Sequence, residues 1–398
     1  MLNDIKTPNN WRKKSKPADS PTIEQELGEA FDEPGPKRPK SKNPLRRFSN
    51  WWSGLNRNWR FGILALSLLI FGAISLGIYY FSLNQADPTI EIGRSTPPKP
   101  TTVASPLTGV QVAPELAQRP VTGIMIENSK DARPQSGLND AGVIFEAIAE
   151  GGITRFLALF LEGQPAYVGP VRSLRPYYID FGAAYGAAIA HVGGSPDALS
   201  QIRDGGRDLD QFFNSGAYWR VSSRRSPHNV YTSFERLDSL NQKKGYTENR
   251  FTPWARKKEA KLATPTARVI DVNISSALYN SHYDYNVASN SYLRSEGGQP
   301  HIITVAEQDS AGKQINPKSV IVLVVPYSTS GKYSIYNVNS GGAAYIFQDG
   351  GVMIGTWAKP SRDSQFTFTD ANGQPIAVNP GQSWIALVAT ADRVAYAP

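Results

Sequence analysis

Arginine is the residue type that offers this sequence most chemistry, and it gathers beside glycine-bearing turns. Arg133 lies in KDARPQSG, Arg155 in EGGITR, Arg172 and Arg175 in GPVRSLRP, and Arg220, Arg224 and Arg225 in YWRVSSRRSPHN. A guanidinium is always charged, and its planar donor fork matches phosphate or carboxylate. Gly193-Gly194-Ser195 reads as a strand-to-helix turn whose backbone N–H groups favour an anion, in the kind of crevice where α/β sheets bind ligands. The expected ligand-binding residues are therefore Arg133, Arg155, Arg172, Arg175, Gly193, Gly194, Ser195, Arg225 and His228. For proton transfer the candidates are His191, which ends an apolar run just before that turn, and Glu150.

Each of these residues also has a structural reading. If VIFEAIAE-GG-ITRFLALFL is a hairpin with a two-residue turn, Glu150 faces Ile153 and Ile148 faces Arg155. Arg155 is then diagonal to both Glu146 and Glu150, and a cross-strand ion-pair cluster explains all three without a ligand. Arg172 and Arg175 stand three apart before a helix, with Asp180 the near acid in sequence. A lone histidine at a strand end is more often structural, and Ser195 is explained as a helix N-cap. The sequence has no HExxH motif, so a metal site is not expected. It also lacks a P-loop, a nucleophile elbow and a dinucleotide fingerprint, and no cofactor is expected.

The elements that would position these residues are legible in the patterning. VTGIMIE (121–127) reads as a strand, residues 143–161 as a hairpin on Gly151-Gly152, and YGAAIAHV as the end of a further apolar run. Ser195, Pro196 and Asp197 fit the N-cap and first turn of a helix. Thr232-Ser233-Phe234-Glu235 has capping-box spacing and starts a helix stopped by Gly245. Beyond residue 265, ARVIDVNI, SVIVLVVPY, AAYIFQDGGVMIGTW and SWIALVA read as strands, with hairpin signals at QDGG and DANGQP.

The chain has 398 residues and a formal net charge of +8, which invites a nucleic-acid reading that the charge distribution opposes. Residues 1–60 hold 13 Lys/Arg and 7 Asp/Glu, whereas residues 84–398 hold 29 and 27. Between them, residues 61–83 carry no charge and are long enough to span a bilayer core of about 30 Å. The basic flank is N-terminal, so the positive-inside rule predicts a single-pass helix with residues 1–60 in the cytoplasm and residues 84–398 outside. A cleaved secretory signal does not fit, because the leading region and the apolar stretch are both too long. Residues 1–60 read as a disordered basic tail touching anionic lipid and 84–118 as a Pro/Thr/Ser linker. A composition change near 254–264 divides a domain over 119–255 from one over 265–398. The expected fold class is α+β, with a mixed α/β first domain and a β-rich second one.

The sequence resembles the YerB-like bacterial surface proteins, a family known as a domain of unknown function. The matching strings are ENSKDARPQSGL, EGGITRFLALF, GPVRSLRPYYID, HVGGSP and RRSPHNVYTS, followed by YLRSEGGQPH, VIVLVVPY, GTWAK and FTDANGQPIAVNPGQSWIALV. The family motif residues here are Arg133, Gln135, Glu146, Glu150, Arg155, Arg172, Arg175, His191 and His228. The resemblance implies a two-domain extracytoplasmic protein, usually a lipoprotein, with no established reaction. This chain has no cysteine to lipidate, and the apolar helix takes the place of that anchor. The expected function is an envelope protein binding an anionic wall polymer or a phosphorylated lipid-linked precursor. The alternatives are a scaffold for protein partners and a hydrolase or transferase acting on a wall component. The residues do not decide whether the protein is an enzyme.

Overall fold

Asn56 sets the start of the long apolar helix, its side chain accepting a hydrogen bond from the Trp59 N–H at 3.0 Å. The structure, a computed structural model, describes residues 44–84, 101–307 and 312–398. Of the expected disordered tail over 1–60 and linker over 84–118, residues 1–43 and 85–100 lie outside the described residues, whereas Pro44–Gly54 is helical and Val103–Ala104 pairs as a strand with Gln111–Val112. The chain forms two units, Met1–Arg94 and Ser95–Pro398. In the first, α1 (Pro44–Gly54) precedes α2 (Arg57–Leu83), whose 27 residues are long and apolar enough to cross a membrane.

The second unit is mixed α/β, β-rich and has few helices. Its labelled strands are β1 (Thr122–Glu127), β2 (Val143–Glu150), β3 (Ile153–Phe160), β4 (Ala188–His191), β5 (Asp208–Asp210), β6 (Ser291–Glu296), β7 (Ser319–Val324), β8 (Gly341–Gln348), β9 (Gly351–Ala358), β10 (Thr367–Thr369) and β11 (Ser383–Val388). The main sheet runs β10-β9-β8-β7-β11-β2-β3-β1-β4-β5. Strand β11 lies between β7 and β2, parallel to both, so segments from both sides of residues 254–264 build one sheet. Strand β6 belongs to a separate five-stranded sheet. Helix α3 (Pro176–Ala183) packs on one face of the main sheet, with Phe181 stacked on Phe145 of β2 at 4.5 Å. Glu146, the next residue, points to the opposite face, because successive strand side chains alternate.

Local signals place several elements. Gly151 and Gly152 both take positive φ, +58° and +78°, the turn that matches strand twist in a two-residue hairpin. Ser195 caps α4 (Pro196–Arg203), accepting from the Ala198 N–H at 3.4 Å. At α5 (Phe234–Lys243) the cap is Ser233 and not Thr232, whose hydroxyl donates to the Ala217 carbonyl at 2.8 Å.

The β2–β3 register differs from the expected one at one point. Glu150 does face Ile153, but Ala147 instead of Ile148 faces Arg155, because the register shifts between Ile148 and Glu150. A bulge adds one residue to a strand and reverses the alternation beyond it. Glu146 and Glu150 therefore point to opposite faces, and the expected three-residue cluster is split.

On its own face Glu146 meets β6. The Arg294 guanidinium, fully buried, lies 2.9 Å from Glu146 and 3.4 Å from Glu296. It also donates to Ser281 Oγ at 2.7 Å and sits 4.4 Å from the centre of the Trp384 ring. Trp384 Nε1 donates to Glu146 at 2.9 Å, and Thr154 Oγ1 to its other oxygen at 3.0 Å. The two sheets are thus joined by a charged network in which the buried guanidinium holds two carboxylates. Removing one partner of such a pair strands the others in a low-dielectric interior. Arg294→Met should therefore destabilise the protein by about 3–5 kcal/mol, read as a lower urea midpoint in tryptophan fluorescence. An unchanged midpoint would show that the network carries no stability.

Candidate functional site

The structure sorts the candidate arginines by the acid each one meets. Arg155 and Arg175 share Glu150: Arg155 Nη2 lies 3.3 Å from one oxygen, and Arg175 Nη2 makes a close ion pair with the other. Both arginines are buried, 3% and 4% exposed, and each donates to a backbone carbonyl at 2.6 Å, Ser173 for Arg155 and Leu174 for Arg175. Partial burial pushes the Glu150 carboxyl up, but the two guanidinium charges outweigh it and hold the group below its ordinary value. Such a carboxylate is a weak base, which leaves Glu150 an ion-pair partner at neutral pH.

His191 is fully buried, with Nδ1 2.8 Å from the Gly193 carbonyl and Nε2 3.0 Å from Asp208. Both ring nitrogens are directed at protein groups and the ring is out of contact with solvent, so neither is presented to a substrate. The Gly193 N–H, at φ +59°, donates to Asp210 at 2.9 Å, and the Ser195 N–H donates to the Leu174 carbonyl at 3.2 Å. The turn over Gly193, Gly194 and Ser195 therefore spends those two donors inside the protein. What it does hold is the Arg172–Arg175 segment, since the Leu174 N–H donates to the Gly193 carbonyl at 2.9 Å.

A different set converges on open space. A cleft of about 580 Å³ is lined by Arg133, Arg224, Arg225 and His228, with Tyr167, Tyr231, Asp131 and Glu307 among its other walls. Arg225 is exposed and makes no ion pair among the described residues. Arg224 donates to the backbone carbonyls of Asp131 and Pro134, at 3.0 and 2.5 Å, and meets no carboxylate among those residues. Glu307 accepts from Ser223 Oγ at 2.6 Å. His228 Nδ1 is held 2.9 Å from Glu127, which also lies 3.1 Å from Arg172 Nε and accepts from Ser129 at 2.9 Å. Since a carboxylate accepts, Nδ1 donates, and Nε2 has no protein partner among the described residues. Arg172 thus adjoins the cleft through Glu127, whereas Arg155, Arg175 and the glycine turn do not line it. Asp180, the acid nearest to Arg172 in sequence, pairs with Arg362 at 2.9 Å.

The cleft wall is fixed from behind by the buried network. Arg133 lies 3.3 Å from Glu296 and donates to Asn128 Oδ1 at 3.2 Å. Gln135 Nε2 donates to Asn128 Oδ1 at 2.8 Å, and His301 Nε2 lies 3.0 Å from Gln135 Oε1. His301 Nδ1 contacts Arg294 closely. Arginine has only donors, so Nδ1 accepts and Nε2 carries the proton. Burial, then the Arg294 and Arg133 charges, push His301 well below its ordinary value of 6.5. Next to the cleft, Gln135–Ser136 pairs in parallel with Ile302–Thr304. Glu127, Asn128, Arg294 and Glu296 are absent from the candidates drawn from sequence. Strand alternation was the available signal for two of them, because in YLRSE the even positions share a face with the core residue Tyr292.

Comparisons with known proteins find relatives that span most of this chain. The pattern described as "Protein of unknown function (DUF3048) N-terminal domain" matches residues 107–247. The pattern described as "Protein of unknown function (DUF3048) C-terminal domain" matches residues 270–385. The chain is 31% identical over 298 residues to the "Putative lipoprotein YerB" of Bacillus subtilis (strain 168), covering 72% of this chain and 87% of that one. The crystal structure of the YerB protein from Bacillus subtilis matches with a TM-score of 0.67 at 28% identity, covering 74% of this chain and 100% of that one.

The neutral His301 gives this site a pH signature. Below its ordinary 6.5 the unfolded chain takes a proton there that the folded one refuses, so its contribution to stability is present above that value and lost on acidification. Glu146, raised by burial despite Arg294, works in the opposite direction, as does the half-exposed His282, whose aspartate neighbours outweigh burial and raise it. The comparison that isolates His301 is therefore His301→Gln against the parent. Between pH 7 and 5 the parent should lose up to about 1.4 kcal/mol per pH unit more than the variant in urea unfolding. Parallel profiles would contradict the neutral assignment.

Proposed function

We propose that this chain, which belongs to the DUF3048 family through both its N-terminal and C-terminal domains, is a membrane-anchored envelope protein that binds an anionic ligand in the Arg133–Arg224–Arg225–His228 cleft. One observation carries the binding reading. Arg225 and Arg224 reach open space with no carboxylate partner among the described residues, while the buried Arg155 and Arg175 are committed to Glu150. A guanidinium without an internal counter-charge is free to pair with phosphate or carboxylate, and its fork gives that pairing geometry as well as charge. Arg133, tied to Glu296, sets the shape of the wall more than it supplies charge.

The location rests on separate support. Helix α2 has the length and composition of a membrane span, a relative is named as a putative lipoprotein, and the residues from Lys37 to Arg60 include eight basic and no acidic ones. On this reading the N-terminus is cytoplasmic and residues 84–398 are extracytoplasmic, where wall polymers and lipid-linked precursors provide anions.

The test uses the full chain in phosphatidylcholine nanodiscs with tripolyphosphate as the anion. The exposed substitution Arg225→Glu should weaken binding by at least about tenfold, measured by calorimetry, whereas Arg175→Gln should change it far less. Equal binding by the parent and Arg225→Glu would overturn the assignment.

A further inference from the structure

We infer that the ligand is a lipid-linked phosphate, held with its head among Arg224 and Arg225 and its hydrocarbon chain in an adjoining apolar cleft. This rests on the anion-binding reading above and deepens it. The second cleft, of about 680 Å³, shares Arg133, Pro134 and Thr304 with the first. Beyond those residues its walls combine the apolar Leu278, Pro300 and Ile302 with Lys130, Glu296 and His301. Leu278 is 40% and Ile302 36% exposed, so their apolar surface meets solvent.

Neither cleft alone specifies an occupant. A soluble polyanion would fill the first and leave the second wet, and an uncharged lipid would do the reverse. The two clefts adjoin along the wall of residues they share, charged on the side of Arg224 and Arg225 and largely apolar on the side of Leu278 and Ile302. That wall is rigid: Gln135–Ser136 is paired with Ile302–Thr304, and Ser136 Oγ lies 2.9 Å from Thr304 Oγ1. Arg133 at the junction is fixed by Glu296, the Leu278 carbonyl at 3.2 Å and the Tyr279 ring at 5.3 Å. A ligand matching the groove has a phosphate joined to an apolar chain, and burying that chain removes hydrocarbon from water. With α2 as an anchor, such molecules lie in the bilayer that holds the protein.

The probe is farnesyl phosphate, with methyl phosphate, farnesol and tripolyphosphate as controls. Each is titrated into the full chain in phosphatidylcholine nanodiscs after subtraction of empty nanodiscs. Farnesyl phosphate should bind at least about tenfold tighter than methyl phosphate or farnesol, because several methylenes are buried along with the head. Ile302→Asp should bring farnesyl phosphate to the methyl phosphate level while tripolyphosphate binding persists. Leu278→Asp, elsewhere in the same lining, should do the same. Arg225→Glu should weaken both farnesyl phosphate and tripolyphosphate. If farnesyl phosphate binds no tighter than methyl phosphate or farnesol, while tripolyphosphate still depends on Arg225, the lipid inference is overturned and the anion site stands. If neither anion depends on Arg225, both fail.

Discussion

A guanidinium buried between two sheets is the constraint on which the architecture of the unit over Ser95–Pro398 turns. Arg294 stands on one sheet and Glu146 on the other, 2.9 Å apart, with Glu296 beside them. In an interior of low dielectric a lone charge of this kind would be prohibitive, so the sheets are held at the spacing and register that let the charges meet. Hydrocarbon packing alone tolerates some sliding. A hydrogen-bonded charge cluster with Trp384, Thr154 and Ser281 does not.

The geometry of the proposed site follows from that cluster. Asn128, Gln135 and His301 extend the network outward to Arg133, so the cleft wall is braced by hydrogen bonds that begin in the core. The arginines then divide by counter-charge. Those that meet Glu150 or Glu127 lock strands and turns together, as Arg155, Arg175 and Arg172 do. Those that meet only backbone carbonyls or solvent, Arg224 and Arg225, keep their charge for something outside the protein. Placement thus matters more than the bulk field, in line with a near balance of charge over residues 84–398.

Short-range features were legible in the sequence because their causes are local. The Gly151-Gly152 turn, the Ser195 cap and the strands on either side of them follow from residues within a few positions of each other. The bulge near Ala149 was not legible, since nothing in VIFEAIAE marks where the strand gains a residue, and that one residue sends Glu146 to the opposite face. The partner of Arg172 was missed for a related reason: Glu127 is remote in sequence and arrives through sheet pairing, whereas the nearer Asp180 is taken by Arg362. For the site itself, residue type singled out arginine beside histidine in RRSPHN, and Arg224, Arg225 and His228 do line one cleft. Which arginines remain free depends on every acid in the fold, and only the assembled structure counts those.

The proposed anion site is the Arg133–Arg225 cleft and not the Glu150 cluster. Hydrogen–deuterium exchange of the full chain in nanodiscs, with and without tripolyphosphate, tests it most directly. An anion held in the cleft should bring new protection over 128–136 and 221–229. Protection confined to 150–155 and 172–176, or to the turn at 193–195, would contradict it.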